Sequence, residues 1–318
     1  MTTTGSATRS ASERGRGGPL PISIVVLTFN EEENLPACLD SVLGWADAVY
    51  VVDGFSTDRT VEIARARGCT VLETDLRGYG PIYNWALGQI AFETDWIMRL
   101  DADEIATDGL REVLARELPH VGAEVAGLYV KRRIHFLGRF IRHGGCYPIW
   151  HLRIWRRGRG FCEERLADEH IVLTSGTAER LDGDIVDDSR KTLSWWVHKH
   201  NGYATREAIE QVRTEFGLGG GSQLEARLLG SQEQRKRWLN VKVYSHLPLF
   251  VRPTLYFLYR YVIKLGVLDG PEGLVWHVLQ GFWYRFLVDA KIFEIRKAMR
   301  DRGLDARQAI LEVCGQKV

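Results

Sequence analysis

The sequence predicts an α/β protein, a doubly wound and mostly parallel sheet with helices on both faces, followed by an α-helical C-terminal extension. Three observations carry that expectation. The runs Ile22 to Phe29, Ala48 to Val52 and Trp96 to Leu100 are almost wholly apolar, the composition of parallel strands covered on both faces. Segments with helical spacing separate them. Beyond Gly217 the chain changes to long helical patterns dense in aromatic and basic residues.

Taken in order, Ile22 to Phe29 forms the first strand, and Asn30 is placed to cap a helix outlined by Leu35, Leu39, Val42 and Leu43. A second strand, Ala48 to Val52, ends at Asp53, and the turn Gly54-Phe55-Ser56 leads to a helix starting near Thr57-Asp58. A short strand at Thr70 to Leu72 and a helix from Pro81 to Ala91 precede the fourth strand, which ends in Asp101-Ala102-Asp103-Glu104. In such an alternation ligands bind at the carboxyl ends of the strands. Thr28 with Asn30 and Glu31, then Asp53, then Asp101 with Asp103 therefore converge on one crevice. After Glu117 come longer strand-like runs, Gly127 to Phe136 and Pro148 to Trp155, with interspersed arginines. Helical spacing returns from Thr192 to Phe216, Gly217 to Gly221 reads as a linker, and Gln223 to Val243 and Leu255 to Gly303 read as helices. The expected organisation is a leader over 1–19, a catalytic domain over 20–216 and a helical region over 217–318.

The 42 Lys and Arg against 41 Asp and Glu leave a formal charge of +1, which offers no global attraction to nucleic acid. The distribution is uneven: from Gly219 onward 16 basic residues face 9 acidic ones. That basic third points to an anionic surface as partner. Five scattered cysteines, none in a C-x-x-C spacing, disfavour a disulfide framework and a zinc site, and fit a reducing cytoplasm. Met1 to Gly18 reads as a disordered leader without the apolar segment of a signal peptide.

Asp101 and Asp103 stand at positions i and i+2 of an extended segment and share a face, so one divalent cation can meet both. Capping of the next helix is the competing reading, and it serves for Glu104. Asp53 at a strand end offers acceptors to a base N–H or a ribose hydroxyl, whereas Asp58 reads as a helix cap.

Thr28-Phe29-Asn30-Glu31-Glu32-Glu33-Asn34-Leu35, then Val52-Asp53-Gly54-Phe55-Ser56-Thr57-Asp58, then Asn84-Trp85-Ala86-Leu87, then Leu100-Asp101-Ala102-Asp103-Glu104 resemble, in order, the signatures of family 2 glycosyltransferases. These have the GT-A fold, use nucleotide-diphosphate sugars and invert the anomeric centre. The resemblance covers roughly Pro21 to Val212 and implies that Thr28, Asn30, Glu31 and Asp53 contact the nucleoside, with Arg77 and Asn84 near ribose or phosphate. It further implies that Asp101 and Asp103 hold a Mn2+ or Mg2+ bridging the diphosphate of a UDP- or GDP-sugar. An inverting displacement needs a base opposite the diphosphate. Asp168-Glu169-His170 follows Arg165-Leu166-Ala167 where the family has its catalytic carboxylate, which makes Asp168 the first choice and Glu169 the second.

The lipopolysaccharide-core, capsule and exopolysaccharide branch of the family implies a lipid-linked or polysaccharide acceptor. Aromatic and basic residues mixed along the C-terminal helices suit the surface of an anionic bilayer, so a peripheral position at the inner face of the cytoplasmic membrane is expected. Two rival readings exist. Haloacid-dehalogenase-like phosphatases also use Asp-x-Asp, and Gly183 to Asp188 imitates their later acidic motif, but they need the pair on the first strand and Thr or Val where Ile105 stands. A membrane-surface glycan-binding protein without turnover is the other.

Overall fold

The computed structural model describes residues 18–163, 169–218, 238 and 244–316. Its sheet begins with four parallel strands, β1 (Leu20–Thr28), β2 (Ala46–Asp53), β3 (Thr70–Glu73) and β4 (Trp96–Asp101), in the order β3-β2-β1-β4. It continues through β8 (Ile149–Arg156), β6 (Val125–Phe136), β11 (Thr177–Asp187) and β5 (Glu104–Ala106), with β7 (Arg139–Ile141) paired to β6. β8 runs antiparallel to both β4 and β6, β11 is parallel to β6, and β5 is antiparallel to β11. β9 (Gly160–Cys162) and β10 (Ile171–Leu173) form a small ladder of their own.

Strand β1 lacks polar alternation because both its faces are covered. Ile22, Ile24 and Val26 enter a core with Leu35, Leu39, Leu110 and Leu114, which come from α1 (Leu35–Asp40) and α4 (Asp108–Glu117). Val25, one step out of phase, faces Tyr83, Ala86 and Ile90 at α3 (Tyr79–Gln89). Helix α2 (Thr60–Ala66) adds Ala64 to the first core.

Helix boundaries depart from the sequence reading at four places. Asn30 does not cap α1: its φ is 55°, and Asn34 occupies the cap position. Helix α2 starts at Thr60 instead of Thr57-Asp58, although the Asp58 carboxylate does accept the Thr60 N–H at 3.0 Å. Helix α3 begins two residues before Pro81, at Tyr79, which leaves proline in the first turn where no N–H is needed. Glu104 is not the cap of α4; the Thr107 hydroxyl takes that place, accepting from Leu110 N–H at 3.1 Å.

The C-terminal part is helical. Helix α5 (Leu193–Glu215), capped by Thr192, packs Ala204, Ala208, Ile209 and Val212 against Val288, Ile292 and Ile295 of α8 (Tyr284–Arg302) and Ile310 of α9 (Ala306–Cys314). Helix α6 (Val251–Leu258) runs into a π-helical turn, Tyr259–Ile263, and α7 (Gly270–Trp276) into another, His277–Trp283. Trp276 and Trp196 close on Ile134, Phe136 and Ile141, so the extension shares cores with both α5 and the sheet. The leader up to Gly17, the Gly219-Gly220-Gly221 joint and the helix expected over Gln223 to Val243 lie outside the described residues, Trp238 apart. No helix among the described residues is long and apolar enough to cross a membrane.

Two imidazoles in these cores are held neutral. His200 stacks on Trp196 with centroids 3.5 Å apart and donates Nδ1–H to the Trp196 carbonyl; burial, helped by the Lys199 charge, pushes it down to about 4. His277 is 0% exposed between Arg260 and Asp269, and burial together with the Arg260 charge outweighs Asp269 to leave it at about 4. The ordinary value is 6.5, so between these limits the unfolded chain binds more protons than the folded one. Stability is therefore fully present above pH 6.5 and is lost as pH falls towards 4. Each histidine contributes a slope of up to about 1.4 kcal/mol per pH unit. Urea midpoints measured across this window should fall steeply for the native chain and less steeply for His277→Gln, and equal slopes would refute the assignment.

Candidate active site

Register decides what meets at the top of the sheet. Thr28 pairs with Asp53 across β1 and β2, and Leu27 pairs with Asp101 across β1 and β4, so three strand ends stop at one level. β1 lies between β2 and β4, which run to opposite sides of it, and this switch point opens the crevice.

On the β1–β2 side the loops brace one another. The Asp53 carboxylate, 0% exposed, accepts from the Thr28 hydroxyl at 2.7 Å and from the Ser56 N–H and hydroxyl, each at 2.6 Å. Asp53 thus shapes the turn after β2. Asn30 donates its N–H to Ser56 Oγ and accepts the Thr57 N–H, at 2.7 and 2.8 Å. Lys191 donates to the Asn30 carbonyl at 2.6 Å and pairs with Glu31 at 2.9 Å, while lying 4.2 Å from the Trp195 ring centroid. Phe29 and Phe55 protrude from this shelf, 56% and 55% exposed. Arg77 is exposed on the loop before α3.

On the β4 side Asp101 is gripped from three directions. Its Oδ1 accepts from the Tyr79 hydroxyl at 2.6 Å and Arg99 Nε at 3.3 Å, and its Oδ2 from Arg153 Nη2 at 3.0 Å. Burial drives this carboxyl upward, but Arg153 and Arg99 outweigh it and hold Asp101 well below the usual range. Glu104, 1% exposed, accepts the Asp101 N–H at 2.9 Å and shares Arg153. Burial, with Asp101 adding to it against Arg153, lifts Glu104 to about 8. The Asp103 side chain is 21% exposed against 26% for Asp101, and Lys199 stands 3.9 Å from it. Asp187 stands opposite Glu104 in the β11–β5 pairing, 3.6 Å from Arg132, and burial lifts it to about 6 against the Arg132 charge, with Asp103 adding to the rise.

Hard carboxylate oxygens suit Mg2+ or Mn2+. Among the described residues no group of three His, Cys, Asp or Glu side chains is assembled for a metal. The acidic pair fits a cation that takes most of its ligands from phosphate and water, which is how magnesium-type ions usually bind. Both side chains are partly exposed, and Asp101 presents a carboxylate already charged and oriented.

Of the base candidates, Asp168 lies outside the described residues. Glu169 is half-buried, and its carbonyl accepts Arg99 Nη1 at 3.3 Å, which fastens this segment to the Asp101 cluster. The Asn84 amide donates to the Cys162 carbonyl at 2.9 Å and accepts the Cys162 N–H at 2.8 Å, pinning β9 to α3.

Sequence reasoning missed Arg99, Tyr79, Lys191, Lys199 and Asp187, and left Arg153 unnamed among the interspersed arginines of its strand-like run. A signal existed for two of them: Arg99 and Arg153 each interrupt an otherwise apolar strand, and a charge there needs a partner. The phosphatase reading fails on geometry. The acidic pair closes the fourth strand, and Asp184 of the imitating motif is spent on Arg133 and the Tyr147 hydroxyl, at 2.7 and 2.8 Å.

Comparison with known proteins agrees with this layout. The family model "Glycosyl transferase family 2" matches residues 23–170. An uncharacterized glycosyltransferase of Rickettsia typhi is 35% identical over 309 residues, spanning 92% of this chain and 93% of that protein. The lipopolysaccharide core biosynthesis glycosyltransferase LpsC of Rhizobium meliloti is 28% identical over 289 residues, 89% of this chain and 95% of its own. Among solved structures, the mannosyltransferase PcManGT of Pyrobaculum calidifontis, in complex with GDP-Man and Mn2+, superposes with a TM-score of 0.50 at 16% identity, covering 86% of this chain and 87% of that one. That likeness shows the fold. With ordered motifs, the matching family model and a full-length relative, the chain belongs to glycosyl transferase family 2.

Proposed function

We propose that this glycosyltransferase moves a sugar, with inversion and with Mn2+ or Mg2+, from a UDP- or GDP-sugar to a hydroxyl of a lipid-linked or polysaccharide glycan in the making of lipopolysaccharide core or a related cell-surface polymer. The observation that carries the reading is the alignment of Thr28, Asp53 and Asp101 at one end of the sheet, with Asp103 beside them and Arg99, Arg153 and Lys199 around the cluster. The shelf of Asn30, Glu31 and Ser56, rimmed by Phe29 and Phe55, offers hydrogen-bonding groups and apolar ring faces to a nucleoside. Asp101 and Asp103 would hold the cation, which neutralises the charge that develops on the departing nucleoside diphosphate. Lys199 adds a fixed positive charge beside that position, and Arg77 reaches in from the exposed loop. Asp168 is the proposed base, with Glu169 the alternative; each can take the proton from the acceptor hydroxyl once the Arg99 contact has placed the segment.

The relative LpsC is named for lipopolysaccharide core biosynthesis, and this supports the acceptor class. A peripheral position at the inner face of the cytoplasmic membrane completes the proposal, as the place where a lipid-linked acceptor meets a nucleotide donor. The basic C-terminal third supports it.

Asp103→Ala should lower Mn2+-dependent turnover of the donor by about a hundredfold or more. In the same variant, thermal protection by UDP or GDP should lose its dependence on Mn2+; retention of both would defeat the metal assignment. For the base, Asp168→Asn and Glu169→Gln are compared by sugar transfer and by nucleotide affinity. One of them should lose transfer by about 10²- to 10⁴-fold at unchanged nucleotide affinity. If both transfer like the native enzyme, the base lies elsewhere.

A further inference from the structure

We infer that the turn between α6 and α7, Leu258 to Leu268, is a wedge that seats the protein in the headgroup layer of an anionic lipid bilayer and holds the active-site edge of the sheet towards it. The inference rests on the proposed lipid-linked acceptor, because it gives the enzyme a reason to meet the bilayer with that edge.

Exposure is the first observation. Of the twenty large hydrophobic residues exposed among the described ones, eleven lie between Val251 and Val278. The turn itself shows Val262 at 54%, Ile263 at 69%, Leu265 at 52%, Val267 at 50% and Leu268 at 56%. So much contiguous apolar surface marks a binding site for something apolar.

Backbone conformation is the second. Leu265 sits at φ 58°, in the left-handed region where glycine or asparagine is at ease and a leucine is strained. A turn residue chosen for the turn alone would not be an exposed leucine. Its side chain is useful only if something apolar receives it.

Charge selects the occupant. From Leu247 to Leu268 the sequence contains no Asp or Glu, and its formal charges are Arg252, Arg260 and Lys264. Arg252 is buried against Asp289, whereas Lys264 is exposed beside the Tyr259 ring, 5.7 Å from its centroid. Arg142 and Arg139 lie exposed at the base of the turn, where Arg142 N–H reaches Asp269 and Arg139 pairs with Glu272 at 3.6 Å. An apolar tip with tyrosine and cations behind it matches the depth profile of an anionic membrane surface, with acyl chains below and phosphates above.

The wedge is also fixed to the site. Arg260 donates to the Gly144 carbonyl and Gly144 N–H to the Lys264 carbonyl, both at 2.8 Å, while Asp269 accepts the His143 N–H at 2.9 Å. These contacts tie the turn to the loop between β7 and β8. Met98 pairs with Ile154 in the antiparallel β4–β8 ladder, so β8 begins beyond the carboxyl end of β4, on the Asp101 side. A bilayer meeting the wedge thus faces the edge of the sheet that carries the crevice.

The test is flotation of the full chain with vesicles of phosphatidylglycerol mixed with phosphatidylcholine, and with phosphatidylcholine alone. The native chain should float with the anionic vesicles, the triple variant V262S/I263S/L268S should bind them about tenfold more weakly or worse, and Lys264→Glu should weaken anionic binding selectively. Hydrolysis of the nucleotide-sugar donor in vesicle-free solution should be unchanged in the triple variant, which also shows that it folds. A triple variant that floats like the native chain overturns the wedge. So does a native dimer, seen by sedimentation, that the same three substitutions split without any vesicle binding, since the face would then belong to a second copy. A native chain that floats yet turns over no donor counts against the proposed transfer and leaves the wedge standing.

Discussion

Everything at the crevice depends on strand β1 being flanked by two parallel strands in a fixed register. One residue of slip between β1 and β4 would turn the side chains of one strand to the opposite face, exchanging Val26 and Leu100 for their neighbours in the two cores. Burial on both faces forbids that exchange, because Ile22, Ile24 and Val26 are all 0% exposed. The apolar core therefore sets the positions of Thr28, Asp53 and Asp101, and polar chemistry at the strand ends is a consequence of hydrophobic packing beneath it.

That placement forces carboxylates into a part of the molecule that is short of water, and cations answer it. Asp101 and Glu104 share Arg153, which is only 4% exposed, so removing the guanidinium would leave both acids without their common cation. The two acids are not equivalent. Asp101 has both guanidinium groups and a tyrosine hydroxyl and stays ionised, whereas Glu104 lies deeper beside a charge of its own sign and is driven towards the neutral form. The cluster thus keeps one oriented carboxylate, Asp101, partly open beside Asp103, with Glu104 buried behind it.

How much of this was legible in the sequence depended on how local each cause was. Strands β1, β2 and β4 stood out because a parallel strand buried on both faces writes itself as an unbroken apolar run, and their polar ends followed from the architecture. The four ordered motifs led to the family. Asn84 was found by its motif, but its contact with Cys162 was not, since a local pattern says nothing of a partner across the fold. Arg153 was undervalued for the same reason: its partners come from another strand, and a guanidinium reads as solvated until the partner is known. Asp187 became a neighbour of Asp103 only through the pairing of β11 with β5, a contact between distant segments. Asn30, Glu104 and the start of α2 erred by small offsets, because Asp, Asn and Thr residues crowd each turn and several could have capped the helix.

The charge inventory around the proposed diphosphate position gives the proposed cation its physical rationale. Asp101, Asp103, Glu104 and Asp187 face Arg99, Arg132, Arg153 and Lys199, four acids against four bases. With Glu104 neutral the cluster carries a single surplus positive charge. A nucleotide sugar brings two negative charges, which that surplus cannot balance. A divalent ion held by Asp101 and Asp103 would turn the deficit into a small positive excess at the point where the leaving group gathers charge. Strong pairing of Asp101 with its arginines offsets its repulsion of the donor, and the more distant Lys199 would leave Asp103 room to meet an ion. The same inventory explains why the proposed base belongs on the separate segment around Glu169, tied to the cluster through a backbone carbonyl: a carboxylate drawn among these cations would be too weak a base to take a hydroxyl proton.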